Sequence, residues 1–218
     1  MIDSRSLANS CTPADRNLGH QLQVQKLMAQ RILEPNVKGK IMFVGSSIFR
    51  LWTTLAKDMH PLPVINQAFG GSKTEEVLYY ADDLIIPHQP KIVVYYCGSN
   101  DINAGSDAQG IQTRFALFVE YLATHLPNVY IFFVSINRAP QKQSKWHTVD
   151  AANLAIKQYA QTIPNVEFID VNPALFDESD FPRYDLFTGD LVHLKPAAYE
   201  AFTKIIKPIL QTTWERLS

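Results

Sequence analysis

Four short clusters hold most of the residues in this sequence that could do chemistry. Gly45-Ser46-Ser47 follows an apolar run over residues 40–44 and precedes Ile48-Phe49-Arg50-Leu51-Trp52, which can begin a helix. A serine at such a junction receives the positive end of the helix dipole and can offer its backbone N–H to an anion. The segment 66–74, Asn-Gln-Ala-Phe-Gly-Gly-Ser-Lys-Thr, carries paired glycines, Gly70 and Gly71, that permit positive φ and close backbone approach. Its tail is not a phosphate loop, because that motif needs Lys directly after the second glycine. Gly98-Ser99-Asn100-Asp101 sets an Asn amide, able to donate two hydrogen bonds, beyond the strongly apolar run 92–97. Asp190-Leu191-Val192-His193 precedes Pro196, a residue suited to the first turn of a helix. An Asp and a His three residues apart can set a carboxylate against Nδ1 and leave Nε2 free as a base. Taken singly, each cluster also has an ordinary reading as a turn, an N-cap or an Asx-turn.

The elements that must position these clusters alternate in kind. Short β-branched or apolar runs at 40–44, 63–65, 92–97, 129–134 and 166–171 predict five strands, and most of them are near-continuous, as expected for strands covered on both faces. Between them, Ile111, Phe115, Phe118 and Leu122 recur at helical spacing, as do Tyr199, Phe202, Ile205, Ile206 and Ile209 near the end. Strands alternating with helices predict a parallel α/β domain, in which ligands bind at the carboxyl ends of the strands, where all four clusters fall. Pro208 is expected to kink or end the last helix. An amphipathic stretch from Leu18 to Ile32 reads as one N-terminal helix, packed on the domain or on a partner. The segment 172–189 reads as a long loop with at most one helical turn, and Lys142, Gln143 and Lys145 as a solvated loop.

In this order, each tied to its expected element, the four clusters resemble the SGNH (GDSL-type) hydrolase superfamily. Its blocks are a G-D-S serine after the first strand, an N-x-G-x-x-G loop, a G-x-N-D turn and a late D-x-x-H. The likeness runs from about Lys40 to Leu210 and is nearest the branch similar to platelet-activating-factor acetylhydrolase catalytic subunits. It implies a three-layer α/β/α flavodoxin-like fold with a five-stranded parallel sheet in the order 2-1-3-4-5. It also implies Ser47 as nucleophile, His193 as general base and Asp190 as the residue that orients the imidazole. The oxyanion donors would be the backbone N–H groups of Ser47 and Gly71, with Gly70 a rival to the latter, and the side chain of Asn100. The sequence departs from the pattern at Ser46, where the family usually has Asp, at Ala68, and at Leu191-Val192, where Gly-Leu is common. The implied activity is a metal-independent serine esterase with no cofactor, acting on a small-molecule ester with a short acyl group such as acetyl. Lipid acylhydrolase, thioesterase, acyltransferase and a non-catalytic flavodoxin-like binding module are the alternatives. Ser46, Gly70, Asn137, Arg138 and Trp146 are candidates to line the substrate cleft.

Composition narrows the classes further. The chain has 218 residues, 46% apolar and 19% charged, as expected of one globular domain over 1–218; the resemblance implies a catalytic core over 36–213, with an N-terminal extension over 1–35. Twenty basic residues against 21 acidic ones give a net charge of -1 with no basic run, which excludes a nucleic-acid partner on electrostatic grounds. The longest apolar runs fall far short of the roughly 20 residues that cross a bilayer, so no integral membrane association is expected. No secretory leader is apparent, and a cytoplasmic location is the default expectation, a mature secreted form the alternative. Cys11 and Cys97 are too few for a disulfide framework. His20, His60, His88, His125 and His147 lack metal-ligand spacing, so no metal is expected. The N-terminal helix leaves a homodimer open.

Overall fold

The computed structural model describes residues 3–9, 18–33 and 38–217. Its centre is a five-stranded sheet of β1 (Ile41–Gly45), β2 (Val64–Asn66), β3 (Ile92–Tyr96), β4 (Tyr130–Val134) and β5 (Val166–Ile169), all parallel, in the order β2-β1-β3-β4-β5. The helices are α1 (Ser4–Asn9), α2 (Leu18–Leu33), α3 (Ser47–Arg50), α4 (Leu55–Met59), α5 (Thr74–Tyr79), α6 (Ala81–Leu84), α7 (Ser99–Asn103), α8 (Ala108–His125), α9 (Trp146–Ala160) and α10 (Pro196–Leu217). The fold class and strand order are those expected from the sequence.

Successive strand residues point to opposite faces, and both faces are apolar because both are covered. Met42, Val44, Val93, Tyr95, Ile131 and Phe133 face Val77 of α5, Ile111, Phe115 and Phe118 of α8 and Ile156 of α9. Ile41, Phe43, Val94, Tyr96, Phe132 and Val134 face Phe49 of α3, Leu55 of α4 and Phe202, Ile206 and Leu210 of α10. Burying each large side chain contributes roughly 1.5–3 kcal/mol. The strand order reverses between β1 and β3, and the crevice beyond their carboxyl ends is where such a sheet leaves room for a ligand.

Several local expectations need correction. The N-terminal segment contains two described helices rather than one: Ser4 Oγ of α1 donates to Tyr79 O (3.0 Å), and Arg5 pairs with Asp83 (2.8 Å). Segment 172–189 makes two 3-10 turns, Asn172–Leu175 and Tyr184–Leu186, and buries Leu175, Leu186 and Phe187 under the second core. Residues 140–145 form a 3-10 turn in which Gln143 is exposed as expected and Lys142 is half-buried, and Trp146 begins α9. Cys11 lies outside the described residues, while Cys97 is buried, which pushes its thiol pKa up. Among the described residues, no helix is long and apolar enough to cross a membrane and no three His, Cys, Asp or Glu side chains are grouped to hold a metal.

Pro208 does not end the last helix, which continues to Leu217. Pro208 and Lys204 both lie on the exposed side, so water can reach the carbonyl that the missing N–H leaves free, while buried Ile206 and Leu210 hold both halves on the sheet. Pro208→Ala should restore one helical hydrogen bond, partly offset by greater freedom of the unfolded chain, for a net gain of about 1–2 kcal/mol. Thermal unfolding of the two proteins checks this: the variant should melt a few degrees higher.

Candidate active site

β1 and β3 pair in register through Gly45 and Tyr96. Gly45 has φ +126°, and a Cβ there would lie 1.8 Å from Tyr96 O, so only glycine fits. Beyond it, Ser46 N–H donates to Tyr96 O (3.0 Å) and the chain turns into α3, leaving Ser47 at the helix start. Buried Tyr199 ties α3 to α10 by donating its hydroxyl to Ile48 O (2.8 Å).

The late Asp-x-x-His segment meets this serine from the other side. His193 Nε2 lies 3.0 Å from Ser47 Oγ, and its Nδ1 lies 2.6 Å from Asp190 Oδ2. Asp190 Oδ1 accepts from the backbone N–H of His193 (3.0 Å) and Val192 (2.9 Å) and from the Thr188 hydroxyl (2.7 Å). The His193 N–H above all, helped by the other two donors, holds this carboxyl far below the usual carboxylate range, so it remains ionised at any ordinary pH. The turn that brings those amides onto one oxygen needs Leu191 at φ +55°, a left-handed conformation that costs a branched residue roughly 1–2 kcal/mol. Packing of Leu191 against the second core opposes that cost.

Two further loops complete the cleft. Asn66 fixes the start of the glycine loop, donating from Nδ2 to Phe49 O (2.6 Å) and accepting at Oδ1 from Ala68 N–H (3.1 Å). Phe69 N–H then donates to Gly45 O (2.9 Å), and Gly71 takes φ +82°. Gly70 N–H donates to Gln23 Oε1 (2.8 Å) on α2, and Gln23 Nε2 donates back to Gly70 O (3.4 Å). The N–H groups of Ser47 and Gly71 meet no acceptor among the described residues. Asn100 Nδ2 donates one hydrogen to Ser72 O (3.0 Å), which leaves its second amide hydrogen for the cleft. Beneath, buried Asp101 accepts from Thr74 N–H (3.1 Å) and from Arg114 (3.2 Å), and burial pushes its carboxyl pKa up.

These elements enclose a cavity of about 490 Å³. Of the expected site residues, Ser46, Ser47, Gly70, Gly71, Asn100, Asn137 and His193 line it, and Asp190 stands behind His193. Arg138 and Trp146 do not. Arg138 is drawn away by Asp150 (2.7 Å) and Asp180 (3.5 Å) into a separate cavity, and Trp146 donates to Ala139 O (2.9 Å) and packs edge-on to Phe176. Among the lining residues that escaped the sequence reading are Gln23, Arg50 and Lys142. Arg50 sits one turn beyond Ser47, a spacing that could have flagged it; Gln23 and Lys142 reach the site through tertiary contacts that leave no local signature.

The sequence profile of the GDSL-like Lipase/Acylhydrolase family matches residues 44–201, so the chain belongs to that family of serine hydrolases, which cleave carboxylic esters. Among solved structures, it is similar to a protein described as a platelet activating factor from Streptococcus pneumonia, at 21% identity and TM-score 0.77, covering 88% of this chain and 92% of that one. A protein described as an acylhydrolase from Bacteroides fragilis matches at 18% identity and TM-score 0.74, over 91% of this chain and 99% of the other. An acetylxylan esterase from Geobacillus stearothermophilus matches at 16% identity and TM-score 0.64, over 77% and 92%. No curated protein matches the chain by sequence.

The α2 contact lies outside the family-matched residues yet touches the glycine loop directly. His20, on the same helix, packs its Nε2 3.0 Å from where a Cβ on Gly71 would sit, and its Nδ1 meets Glu76 (2.8 Å). Gln23→Ala should therefore cost about 1–2 kcal/mol by leaving Gly70 N–H without its acceptor. Leu22→Ala, on the exposed face of the same helix, should cost under about 0.5 kcal/mol, and urea unfolding of both variants checks the difference.

Proposed function

We propose that this protein is a serine esterase that removes short acyl groups, acetyl above all, through an acyl-Ser47 intermediate. The observation that carries this reading is the unbroken chain of contacts from Asp190 through His193 to Ser47, set beside three hydrogen-bond donors on separate loops. A serine hydroxyl is a weak nucleophile until a base in hydrogen-bond reach takes its proton, and His193 Nε2 has that reach. Ser47 Oγ attacks the ester carbonyl carbon while its proton passes to Nε2, and the imidazolium that forms is stabilised by the ionised Asp190.

The negative charge that develops on the carbonyl oxygen is taken by the N–H groups of Ser47 and Gly71 and the amide of Asn100. Gly71 rather than Gly70 fills this role, because Gln23 already occupies the Gly70 N–H. Such preorganised donors typically contribute 100- to 1000-fold each. Collapse of the intermediate breaks the bond to the alcohol oxygen, which takes the proton from His193. Water then attacks the acyl carbon with His193 again accepting a proton, and the acid leaves with Ser47 restored. In this reading the N-terminal segment and the core act as one unit over 1–218, since Gln23 helps to decide which amide is free.

The acetyl preference is supported by the cavity wall, whose apolar lining is limited to Ile48, Tyr96, Ala139 and Val192, too little to solvate a long acyl chain. The similar acetylxylan esterase is consistent with it. Acyl transfer on the same residues is the second reading, and product analysis with an added alcohol acceptor separates it from hydrolysis.

A fluorophosphonate probe followed by peptide mass spectrometry tests the mechanism. The adduct should form on Ser47 rather than Ser46, and His193→Ala should abolish it; no adduct on folded protein would overturn the reading. For chain length, kcat/KM on p-nitrophenyl esters should fall by at least about tenfold from C2 to C8, the cost of a few methylenes without an apolar slot. A steady rise toward C8 would reverse the acyl assignment.

A further inference from the structure

The cleft has a charge pattern that hydrolysis of a neutral acetate does not need. Apart from His193, its charged lining residues are Arg50 and Lys142, and no carboxylate lines it. The two cations come from separate elements, Arg50 from the end of α3 and Lys142 from the 3-10 turn over 140–145. Arg50 lies against Gly70, where a Cβ would come within 2.6 Å of its Nε, so the glycine makes room for the guanidinium. Lys142 Nζ donates to Ser99 Oγ (2.9 Å) and Ser99 O (3.2 Å), next to Asn100.

Neither cation has an acidic partner. Arg50 makes no side-chain hydrogen bond or ion pair among the described residues, whereas Arg114 and Arg138 each meet an aspartate. Both acceptors of Lys142 are neutral, and burial, with the nearby Lys145 ammonium, pushes its pKa down. A half-buried ammonium without a counter-charge gives up part of its hydration, and an arriving anion offsets that loss. Asn137 adds a second sign of a polar ligand. It is 3% exposed, lines the same cavity, and neither its Oδ1 nor its Nδ2 has a partner among the described residues.

We infer that the natural substrate carries an anionic group, a carboxylate or a phosphate, held between Arg50 and Lys142. The inference rests on the esterase reading above and deepens it. An acetyl group has no place for a charge, so the anion belongs to the alcohol. The substrate class is then an O-acetylated alcohol bearing an acid, such as a sugar acid or a phosphorylated alcohol. Asn137 supplies neutral hydrogen bonds to the same part of the molecule.

Two acetate esters, 4-acetoxybenzoate and 4-acetoxybenzamide, differ in one unit of charge and little else. At low ionic strength the carboxylate should be hydrolysed with a kcat/KM at least about tenfold above the amide, and added salt should shrink that ratio. Arg50→Gln and Lys142→Gln should each reduce the ratio, and the double variant should bring it to about one. Equal rates on the two esters in the unmodified protein would overturn the anion site and leave the esterase reading standing. If neither ester is hydrolysed, calorimetric binding of 4-hydroxybenzoate and 4-hydroxybenzamide decides. Tighter binding of the carboxylate, lost in the double variant, would keep the anion site and overturn the esterase reading. Equal or absent binding would overturn both.

Discussion

The contact between Gly45 and the Tyr96 carbonyl is the constraint to which the rest of the site answers. At the seam where the strand order reverses, β1 and β3 approach so closely that no Cβ fits at position 45. Because that approach is possible, the ladder extends one step further through Ser46 N–H, and the chain leaves the sheet with Ser47 at the start of α3. Move Gly45 outward and the serine loses its register with the Gly98 turn and with His193.

The surrounding donors are selected as much by what is occupied as by what is free. Four consecutive N–H groups in the glycine loop, from Ala68 to Gly71, could face the cleft, and three are already engaged, by Asn66 Oδ1, by Gly45 O and by Gln23 Oε1. Asn100 is divided in the same way, one amide hydrogen spent on Ser72 O. It is therefore a structural tie between two loops that also lines the cleft. Specificity within the loop arises from subtraction, and the subtracting residue lies on a helix beyond the part of the chain that defines the family.

Much of this was legible in the sequence. Strands β1, β3 and β4 announced themselves because each is buried on both faces and so reads as a run of apolar residues rather than an alternation, whereas the edge strands β2 and β5 are only partly buried and read less cleanly. Three of the four polar clusters were legible because they fall directly after those runs, while the fourth, Asp190 to His193, lies beyond the long segment 172–189. What escaped was whatever depends on long-range packing. Gln23 and His20 look like ordinary polar positions on an amphipathic helix until that helix is seen lying on the glycine loop. Lys142 reads as solvated because lysine usually is, and only the neighbouring Ser99 reveals it as half-buried. Arg138 sits next to Asn137 in sequence, yet a pair of aspartates turns it into another cavity, and Trp146 is held by Ala139 O and Phe176 instead. Pro208 misled for the complementary reason, since burial on both sides of a proline can outweigh one missing hydrogen bond.

The left-handed turn at Leu191 couples His193 to the core beneath α10. Local conformation alone disfavours this turn for a leucine, and it persists because the leucine side chain is packed below. Placement of the imidazole is thus a cooperative property of the second core rather than an autonomous property of a surface loop. A substitution that loosens the packing beneath Leu191 is therefore expected to disturb the placement of His193 without touching any residue that lines the cavity.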